Sequence, residues 1–329
     1  MAIDGEKVED LLGLLSSTNG IGGYEDDVRD KIAEKIDKRG YQHTTDSMGN
    51  LTVRVRGGDE KVMVVAHMDE VGFIAKHIDD DGFVWFERVG HIEDSLLEGA
   101  PLVTSNGLRG TIGSYPPHIR GKMEKKIFAD FGFESKTDAL DSGVRVGTPI
   151  YFDTKFSRRG DTLFGKGFDD RAGCATLLSL LTDLEPRCDL YLCFSVQEEL
   201  GARGAKALGD RIKPDITIAV EGTSAGDTPG ISKIDVPASM GQGPCITIMD
   251  RSIVANRKVV ELLEGLANEE GIEYQIKKPS YGSTDAGVII GSKSTVVSVP
   301  CRYIHSPMAI AKRGDLDGAV ALVKSFLES

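Results

Sequence analysis

The sequence predicts an α/β protein: a mixed, mainly parallel sheet flanked by helices, with a small β-rich domain inserted into it. Apolar strands alternate with amphipathic helices in the first and last parts of the chain, which is typical of a parallel sheet covered on both faces. Between residues 71 and 163, short strands and turns replace that alternation. We therefore predict a main domain of residues 1–70 and 164–329, interrupted by an inserted domain of residues 71–163.

The first part of the chain predicts a helix followed by two strands. The helix is indicated by an apolar stripe that recurs every four residues: Tyr24, Val28, Ile32 and Ile36. Leu51–Arg56 alternates apolar and polar residues, which predicts a half-buried strand. Val62–Ala66 is wholly apolar, as expected of a strand that is covered on both faces.

The inserted segment predicts short strands joined by turns. Two β-rich runs, Phe73–Ile78 and Phe83–Phe86, flank Asp80-Asp81-Gly82, which predicts a hairpin. Val144–Phe152 has the composition of another strand, and Lys136–Leu140 is a short candidate helix. This pattern favours a small β-domain.

Strands and helices alternate again from Gly165 onward. The predicted helices are Arg171–Leu184, Gly201–Leu208, Ile253–Glu270 and Asp315–Leu327, the last with Asp315 as its N-cap. The predicted strands are apolar: Leu190–Val196, Ile216–Val220 and Thr295–Val299. This order predicts a largely parallel sheet with helices on both faces.

Composition excludes several classes of protein. Of the 329 residues, 40% are hydrophobic and 27% are charged, which excludes a disordered chain. Apolar runs fall short of the roughly 20 residues that span a bilayer, and the chain shows no export signal, so we expect a cytoplasmic protein. Lys and Arg number 39 against 51 Asp and Glu, and the net charge of −12 argues against nucleic acid or an anionic membrane as a partner.

The five cysteines predict neither a disulfide framework nor a structural zinc site, because their number is odd and no CxxC pair occurs. We expect buried free thiols at Cys174, Cys188, Cys193, Cys245 and Cys301. A thiol protease is the alternative, but none of the cysteines has an evident partner histidine.

Residues that commonly bind metals follow the ends of the apolar strands. They are His67 and Asp69 after Val62–Ala66, Glu198 and Glu199 after Leu190–Val196, Glu221 after Ile216–Val220, and His305 shortly after Thr295–Val299. Asp169 lies in a glycine-bounded loop ahead of a predicted helix. Because sites in open α/β sheets form at the carboxyl ends of the strands, we expect these side chains to meet.

Two imidazoles and several carboxylates, without a cysteine, suit Zn²⁺, Co²⁺ or Mn²⁺. We expect two divalent ions that share Asp169 as a bridging ligand. His67 and Glu221 can complete the first ion, and Glu199 and His305 the second.

The two remaining acids suit supporting roles. Asp69, two residues after His67, can accept the second ring N–H of that imidazole and fix its tautomer. Glu198 is left without a metal and can take a proton from an activated water and pass it to a leaving group.

Each of these signals has an ordinary structural alternative. A histidine at a strand end is usually a satisfied structural residue, adjacent glutamates are usually solvated, and Asp-Asp before a helix usually serves the helix N-terminus. Their joint placement at strand ends favours a metal site. By contrast, His43, His77 and His91 lack such a setting, and we expect surface or packing roles for them.

The motifs that carry these residues resemble the M42 family of metallo-aminopeptidases. They occur in order along nearly the whole chain: Ala66–Gly72 (AHMDEVG), Phe168–Gly173 (FDDRAG), Gln197–Gly201 (QEELG), Gly282–Gly287 (GSTDAG) and Tyr303–Pro307 (YIHSP). This family includes the tetrahedral and glutamyl aminopeptidases, and some members carry an endoglucanase label.

The resemblance implies a two-metal peptidase domain with an inserted β-barrel or PDZ-like dimerisation domain, assembled into dodecamers from dimers. It implies that the enzyme removes the N-terminal residue of short peptides, with the five ligands given above, Asp69 as orienting residue and Glu198 as general base. It also implies a cis peptide bond between Asp169 and Asp170. Glu221 stands where many members of the family have Asp.

Two other functions remain open at this point. A glycoside hydrolase needs two acids about 5–9.5 Å apart and no metal cluster, which adjacent Glu198 and Glu199 fit poorly. A non-catalytic peptide-binding relative would be expected to lose part of the set, which is complete here. The preferred N-terminal residue and the native metal stay undetermined.

Overall fold

The computed structural model describes residues 6–115, 118, 126–280 and 282–329. Within them lie an eleven-stranded mixed sheet and a closed six-stranded barrel. The predicted class, an α/β protein with a sheet flanked by helices and an inserted small β-barrel, is confirmed.

The strands of the large sheet come from both ends of the chain, and the barrel strands lie between them. The first part of the large sheet is β1 (His43–Thr45), β2 (Leu51–Arg56) and β3 (Lys61–His67). The barrel strands are β4 (Gly72–Ile78), β5 (Val84–Val89), β6 (Pro101–Thr104), β7 (Arg109–Ser114), β8 (Ile127–Asp130) and β9 (Pro149–Phe152). The rest of the large sheet is β10 (Ser157–Arg159), β11 (Thr162–Gly165), β12 (Asp189–Ser195), β13 (Ile216–Ser224), β14 (Cys245–Thr247), β15 (Gln275–Lys277), β16 (Lys293–Arg302) and β17 (Ala309–Lys312).

The centre of the large sheet is parallel. Its strand order is β1-β2-β12-β3-β13-β16-β17-β11-β10, with β14 paired to β16 and β15 paired to β14. The neighbours β12, β3, β13 and β16 run in the same direction, with Ser195 opposite His67 and Glu221 opposite Ser298. Their carboxyl ends therefore lie along one edge of the sheet, as predicted.

Helices cover both faces of this sheet. The described helices are α1 (Val8–Ser16), α2 (Asp26–Lys38), α3 (Lys136–Asp141), α4 (Phe168–Leu180), α5 (Arg203–Ile212), α6 (Arg257–Glu270) and α7 (Arg313–Glu328). Alternate residues of β3 show the two faces. Val62, Val64 and Ala66 pack in the core formed with α1, α4 and α7, whereas Met63 and Val65 pack with α5.

Two helix starts show what the sequence could and could not predict. The helix predicted over residues 253–270 begins at Arg257, because the Asn256 side chain caps it by accepting from the Lys258 and Val259 amides. The prediction of Asp315 as an N-cap is wrong. Asp315 lies inside the first turn of α7, and its carboxylate accepts from the amides of Gly241 and Gly243 at 2.7 and 2.9 Å.

The barrel has its own apolar core and strand order, β4-β5-β8-β7-β6-β9. The predicted hairpin between β4 and β5 turns at Gly82, which adopts φ +89°, a conformation that favours glycine. After the barrel, β10 and β11 pair with each other and with β17 in the large sheet, so residues 157–163 hydrogen-bond there and not in the barrel. The division into two domains stays a prediction.

All five cysteines are free and buried, as predicted. Among the described residues, every helix is too short or too polar to traverse a bilayer.

Candidate metal centre

Six of the seven predicted site residues line one cavity of about 680 Å³ at the carboxyl edge of the parallel strands. They are His67, Asp169, Glu198, Glu199, Glu221 and His305. The strands β3, β12, β13 and β16 each deliver one or two of them, and the first turn of α4 delivers Asp169. The parallel register of these strands is what brings distant parts of the chain together here.

Asp169 lies between the two histidines. Its Oδ1 is 3.4 Å from His67 Nε2, and its Oδ2 is 3.2 Å from His305 Nε2. One carboxylate oxygen thus faces each imidazole, which is the arrangement that a carboxylate shared by two cations requires.

Glu199 completes a compact group with Asp169 and His305. One ligand atom from each of the three residues lies within 4.8 Å of the others. Glu199 Oε1 is buried and lies 2.9 Å from His305 Nε2, but among the described residues no donor meets it with hydrogen-bond geometry. A buried carboxylate oxygen without a well-aligned donor fits a cation better than it fits a structural hydrogen bond.

Asp69 lies beneath the site and contacts both sides of it. The second ring nitrogen of His67, Nδ1, is 3.0 Å from the backbone carbonyl of Asp69 and 3.5 Å from its carboxylate. The carboxylate instead accepts from the backbone amides of Glu198 and Glu199, at 3.0 and 3.1 Å. The contact with His67 was predicted from the sequence, whereas the hydrogen bonds to the Glu198 and Glu199 amides were not.

The two Asp residues at the start of α4 point in different directions. The peptide bond between Asp169 and Asp170 is cis, as the resemblance implied. Asp170 is buried, and its carboxylate accepts from the amides of His67, at 3.1 Å, and Gly173, at 2.7 Å. Asp170 therefore ties the end of β3 to α4, while Asp169 faces the cavity.

The charges of the site favour positive partners. Burial opposes the charge on His305, but the nearby carboxylates of Asp169 and Glu199 outweigh burial and raise its pKa to about 11. His67 shows the same balance, and its pKa lies well above the usual value. Burial raises the pKa of Glu198 to about 9, against the opposing effect of His67. The carboxyl groups of the site outnumber its two imidazoles, and this excess of acidic groups suits divalent cations.

Two glycines allow the close packing around the ligands. A Cβ atom on Gly222 would lie 2.9 Å from Asp169 Cα. Gly90, in the chain segment after β5, has φ +80°, and a Cβ atom there would lie 2.7 Å from Glu199 Oε2. The chain that leaves the barrel thus contacts the metal site at Gly90, where the Glu199 side chain leaves no room for a larger residue.

Four further residues around this cavity were not predicted from the sequence. Asp285 is buried, its amide donates to Glu221 Oε1 at 3.2 Å, and its carboxylate accepts from the Ser195 hydroxyl. Arg251, Lys277 and His91 line the cavity. The GSTDAG motif contains Asp285 and could have indicated it. Arg251 and Lys277 belong to no metal-ligand motif, so no sequence signal indicated these two basic residues. His91 is a surface residue as expected, yet it also borders the site.

Comparison with known proteins shows the family of the chain. A family model described as M42 glutamyl aminopeptidase matches residues 49–322. A putative aminopeptidase of Acetivibrio thermocellus is 35% identical over 97% of this chain and 98% of its own. The lysyl aminopeptidase of Pyrococcus furiosus is 32% identical over 97% of this chain and 96% of its own.

Solved structures show the same fold over nearly the whole chain. An aminopeptidase from the archaeon Desulfurococcus kamchatkensis superposes with a TM-score of 0.93 at 35% identity, covering 98% of this chain and 94% of its own. The TET1 peptidase of Pyrococcus horikoshii, described as assembling into a tetrahedron or a large octahedral shell, gives 0.87 at 32% identity, covering 98% and 100%. The chain therefore belongs to the M42 glutamyl aminopeptidase family, and it is a peptidase, a hydrolase of peptide bonds.

Proposed function

We propose that this protein is a metal-dependent aminopeptidase that removes the N-terminal residue of short peptides, with two divalent cations per subunit and Glu198 as general base. The observation that carries the proposal is the position of Asp169, whose two oxygens face His67 and His305 at 3.4 and 3.2 Å. A single cation would need no such shared carboxylate.

The residues present fit two cations. His67 and Glu221 would hold one, Glu199 and His305 the other, and Asp169 would bridge them. The buried Glu199 Oε1 without a well-aligned donor supports this allocation. Imidazole and carboxylate ligands without thiolates suit zinc or cobalt, and also manganese.

When bound, the cations supply Lewis-acid chemistry that activates water and polarises the scissile carbonyl. Glu198 takes the proton of the attacking water and delivers it to the leaving amine. Its carboxyl lines the cavity and, among the described residues, its side chain makes no hydrogen bond, so it is free to exchange a proton.

Asp69 and Asp285 hold the machinery in place. Asp69 fixes His67 through its backbone carbonyl and fixes the Glu198 amide through its carboxylate. Asp285 holds Glu221 through a backbone N–H. The surplus of carboxylates also suits a protonated α-amine, which favours cleavage at the N-terminus.

Chelation followed by metal add-back tests this function. We expect the protein to hydrolyse aminoacyl-p-nitroanilides, to lose that activity in EDTA, and to regain it with zinc, cobalt or manganese. A soluble cellulose serves as the comparison substrate, and we expect no hydrolysis of it. Anilide hydrolysis that survives complete removal of divalent ions would contradict the proposal.

We also propose a homo-oligomer built from dimers, with a dodecamer as the expected form. The TET1 peptidase of Pyrococcus horikoshii, which can assemble into a tetrahedron or a large octahedral shell, supports a large assembly. Large aliphatic side chains are also strongly exposed here: Ile234 at 79%, Val254 at 79% and Ile290 at 90%. Val254 and Ile290 line one depression, and their large exposed aliphatic side chains make this part of the surface a candidate contact between subunits.

A further inference from the structure

A buried glutamate that the proposed mechanism does not use lies next to the site residues. Glu70 follows Asp69 directly and is 2% exposed. Its Oε1 atom accepts hydrogen bonds from the Lys166 ammonium at 2.5 Å, the Gly20 amide at 3.2 Å and the Arg171 guanidinium at 3.4 Å. These donors lie 50 to 101 positions away along the chain, so Glu70 joins distant segments to the end of β3.

Both basic partners of Glu70 are as buried as Glu70 itself. Lys166 is 2% exposed, and Arg171 is 0% exposed. Arg171 also donates to three backbone carbonyls within residues 15–20, at 2.6 to 3.1 Å. Removing one member of a buried ion pair leaves the other charge without compensation, which is costly. The three charged groups therefore constrain one another's positions.

The turn that leads to Asp169 packs directly against Glu70. Gly167, the residue before α4, has φ +59°, and a Cβ atom there would lie 3.0 Å from Glu70 Oε2 and 3.2 Å from Glu70 Cβ. Two residues further on, Asp169 Cα would lie 2.9 Å from a Cβ atom on Gly222 of β13. The start of α4 therefore contacts both Glu70 and β13, with no room for a side chain at either glycine.

The ion pair between Glu70 and Lys166 connects two residues of the site through the backbone. Glu70 is the neighbour of Asp69, whose carboxylate accepts from the Glu198 amide. Lys166 lies three positions before Asp169, the proposed bridging ligand. A bridging carboxylate has to be placed accurately relative to ligands on other strands, and a displacement of about half an ångström is enough to degrade such a site.

We propose that Glu70 and Lys166 are positioning residues: their buried ion pair fixes the start of α4 against β3, and thereby fixes the carboxylate of Asp169. This proposal rests on the proposed two-cation aminopeptidase function. Neither residue lines the cavity, so the effect of the pair passes through Asp169. Loss of the pair should therefore weaken cation binding and lower kcat, while KM, which reports contacts with the peptide, changes little.

The test removes each charge separately and then both together. Glu70→Gln removes the carboxylate charge at constant size, Lys166→Met removes the ammonium at nearly constant length, and a third protein carries both changes. Glu9→Gln is the matched control, because Glu9 is also a buried glutamate, 3% exposed, with two basic partners: Arg158 at 3.0 Å and Arg313 at 3.7 Å. Glu9 lies in α1 and does not line the cavity.

Each protein is examined by equilibrium dialysis with zinc, by kcat and KM on the best aminoacyl-p-nitroanilide, and by urea unfolding in EDTA. Glu70→Gln leaves two buried cations without an acid, and we expect it to lower zinc affinity and kcat by about 10–100-fold. Lys166→Met should lower both less, because Arg171 stays as a partner of Glu70. The double variant should lie closer to the wild type than Glu70→Gln does, since it removes one charge of each sign.

The control and the test variants should differ in what they lose. Glu9→Gln should lose stability in urea, while its zinc affinity and kcat stay within about twofold of the wild type, because distant sites act independently. Glu70→Gln should lose stability, zinc affinity and kcat together, with KM nearly unchanged.

A second pair of variants tests the contact with Glu70 without removing a charge. Gly167→Ala would place a Cβ atom 3.0 Å from Glu70 Oε2. Gly160→Ala is its control, since Gly160 has φ +60° and nothing within 4 Å of a new Cβ atom. Both variants carry similar backbone strain, so they should lose similar stability. Only Gly167→Ala should bind zinc more weakly, by at least about threefold.

Two outcomes would overturn the proposal. The first is a folded Glu70→Gln protein with wild-type zinc affinity and kcat. If that variant does not fold, unchanged zinc binding in Gly167→Ala has the same force. The second is an equal loss of zinc affinity in Glu9→Gln, which would show a general loss of stability. A wild type that hydrolyses no anilide with any divalent cation would overturn the aminopeptidase function, and the zinc dialysis would still decide whether the pair positions the ligands.

Discussion

Asp69 holds the backbone of Glu198: its Oδ1 accepts a hydrogen bond from the Glu198 amide at 3.0 Å. Its other oxygen accepts from the Glu199 amide at 3.1 Å. Asp69 is fully buried, and its backbone carbonyl is 3.0 Å from His67 Nδ1. One buried residue therefore orients the proposed general base and a proposed ligand on either side of the site.

Asp69→Asn should lower kcat by about 10–100-fold, the usual cost of losing a group that orients a metal site. An amide has one acceptor oxygen, so it can satisfy only one of the two backbone amides and turns a donor toward the other. Steady-state kinetics on the best anilide should show this loss in kcat with KM nearly unchanged.

Asp46→Asn is the matched control. Asp46 also accepts two backbone amides with its side chain, those of Met48 and Asn50, and it does not line the cavity. We expect it to lose stability without a comparable loss of kcat. Equal kinetic losses in the two variants would contradict an orienting role for Asp69.

Gly90→Ala should weaken cation binding, because the new Cβ atom would lie 2.7 Å from Glu199 Oε2. Gly99→Ala is the control, since Gly99 has nearly the same φ, +81°, and nothing within 4 Å of a new Cβ atom. Both variants should lose about 1 kcal/mol of stability from the strained backbone. Equilibrium dialysis should show weaker zinc binding only in Gly90→Ala. Unchanged zinc binding in Gly90→Ala would contradict the prediction that the contact between Gly90 and Glu199 affects the metal site.

Asp315 gives a pH dependence of stability. Burial raises the pKa of Asp315 to about 6, against the lowering effect of the amides of Gly241 and Gly243. The pKa of Asp315 is higher in the folded protein than its unfolded value of about 3.9. Asp315 therefore stabilises the fold fully below about pH 3.9, and this stabilisation is lost as the pH rises through about 6. The effect is about 1–2 kcal/mol, because water partly screens this carboxylate.

Asp315→Asn should remove that dependence. The difference in unfolding free energy between the variant and the wild type should move in the variant's favour between about pH 4 and pH 7. Urea unfolding at several pH values measures it. A difference that stays constant, or that moves in favour of the wild type, would contradict the assigned pKa direction.

Sedimentation velocity tests the proposed assembly. We expect a species of about twelve times the 35.4 kDa chain mass, or a dimer as its building block. Val254→Glu with Ile290→Glu should shift the distribution toward smaller species, because both aliphatic side chains are largely exposed in the single chain. A wild-type monomer at micromolar concentration would contradict the proposal.

The sequence predicted the outline of the fold because its periodicities are local. Val28, Ile32 and Ile36 lie on one buried face of α2, as their spacing indicates. The residues after the apolar strands could be collected into one site because parallel strands end at a common edge. His67, the last residue of β3, follows that rule, whereas Glu221 lies three residues before the end of β13.

What the sequence could not predict depends on tertiary contacts. Lys277 enters the cavity only because β15 joins β14 beside β16. His91 borders the site because the barrel folds back against the large sheet. The carboxylate of Asp315 finds its donors in residues 241–243, more than 70 positions earlier in the chain. These contacts join residues that are far apart in the sequence, so no local sequence pattern predicts them.

The most direct test of the central claim is the kcat of Glu198→Gln together with its metal content. Glutamine keeps the size of the side chain but cannot take up the proton of the attacking water. We predict that the variant binds the same two equivalents of divalent cation as the wild type while kcat falls about 10²–10⁴-fold, the usual contribution of a positioned general base. A variant that keeps its metal and most of its activity would contradict the assignment of Glu198.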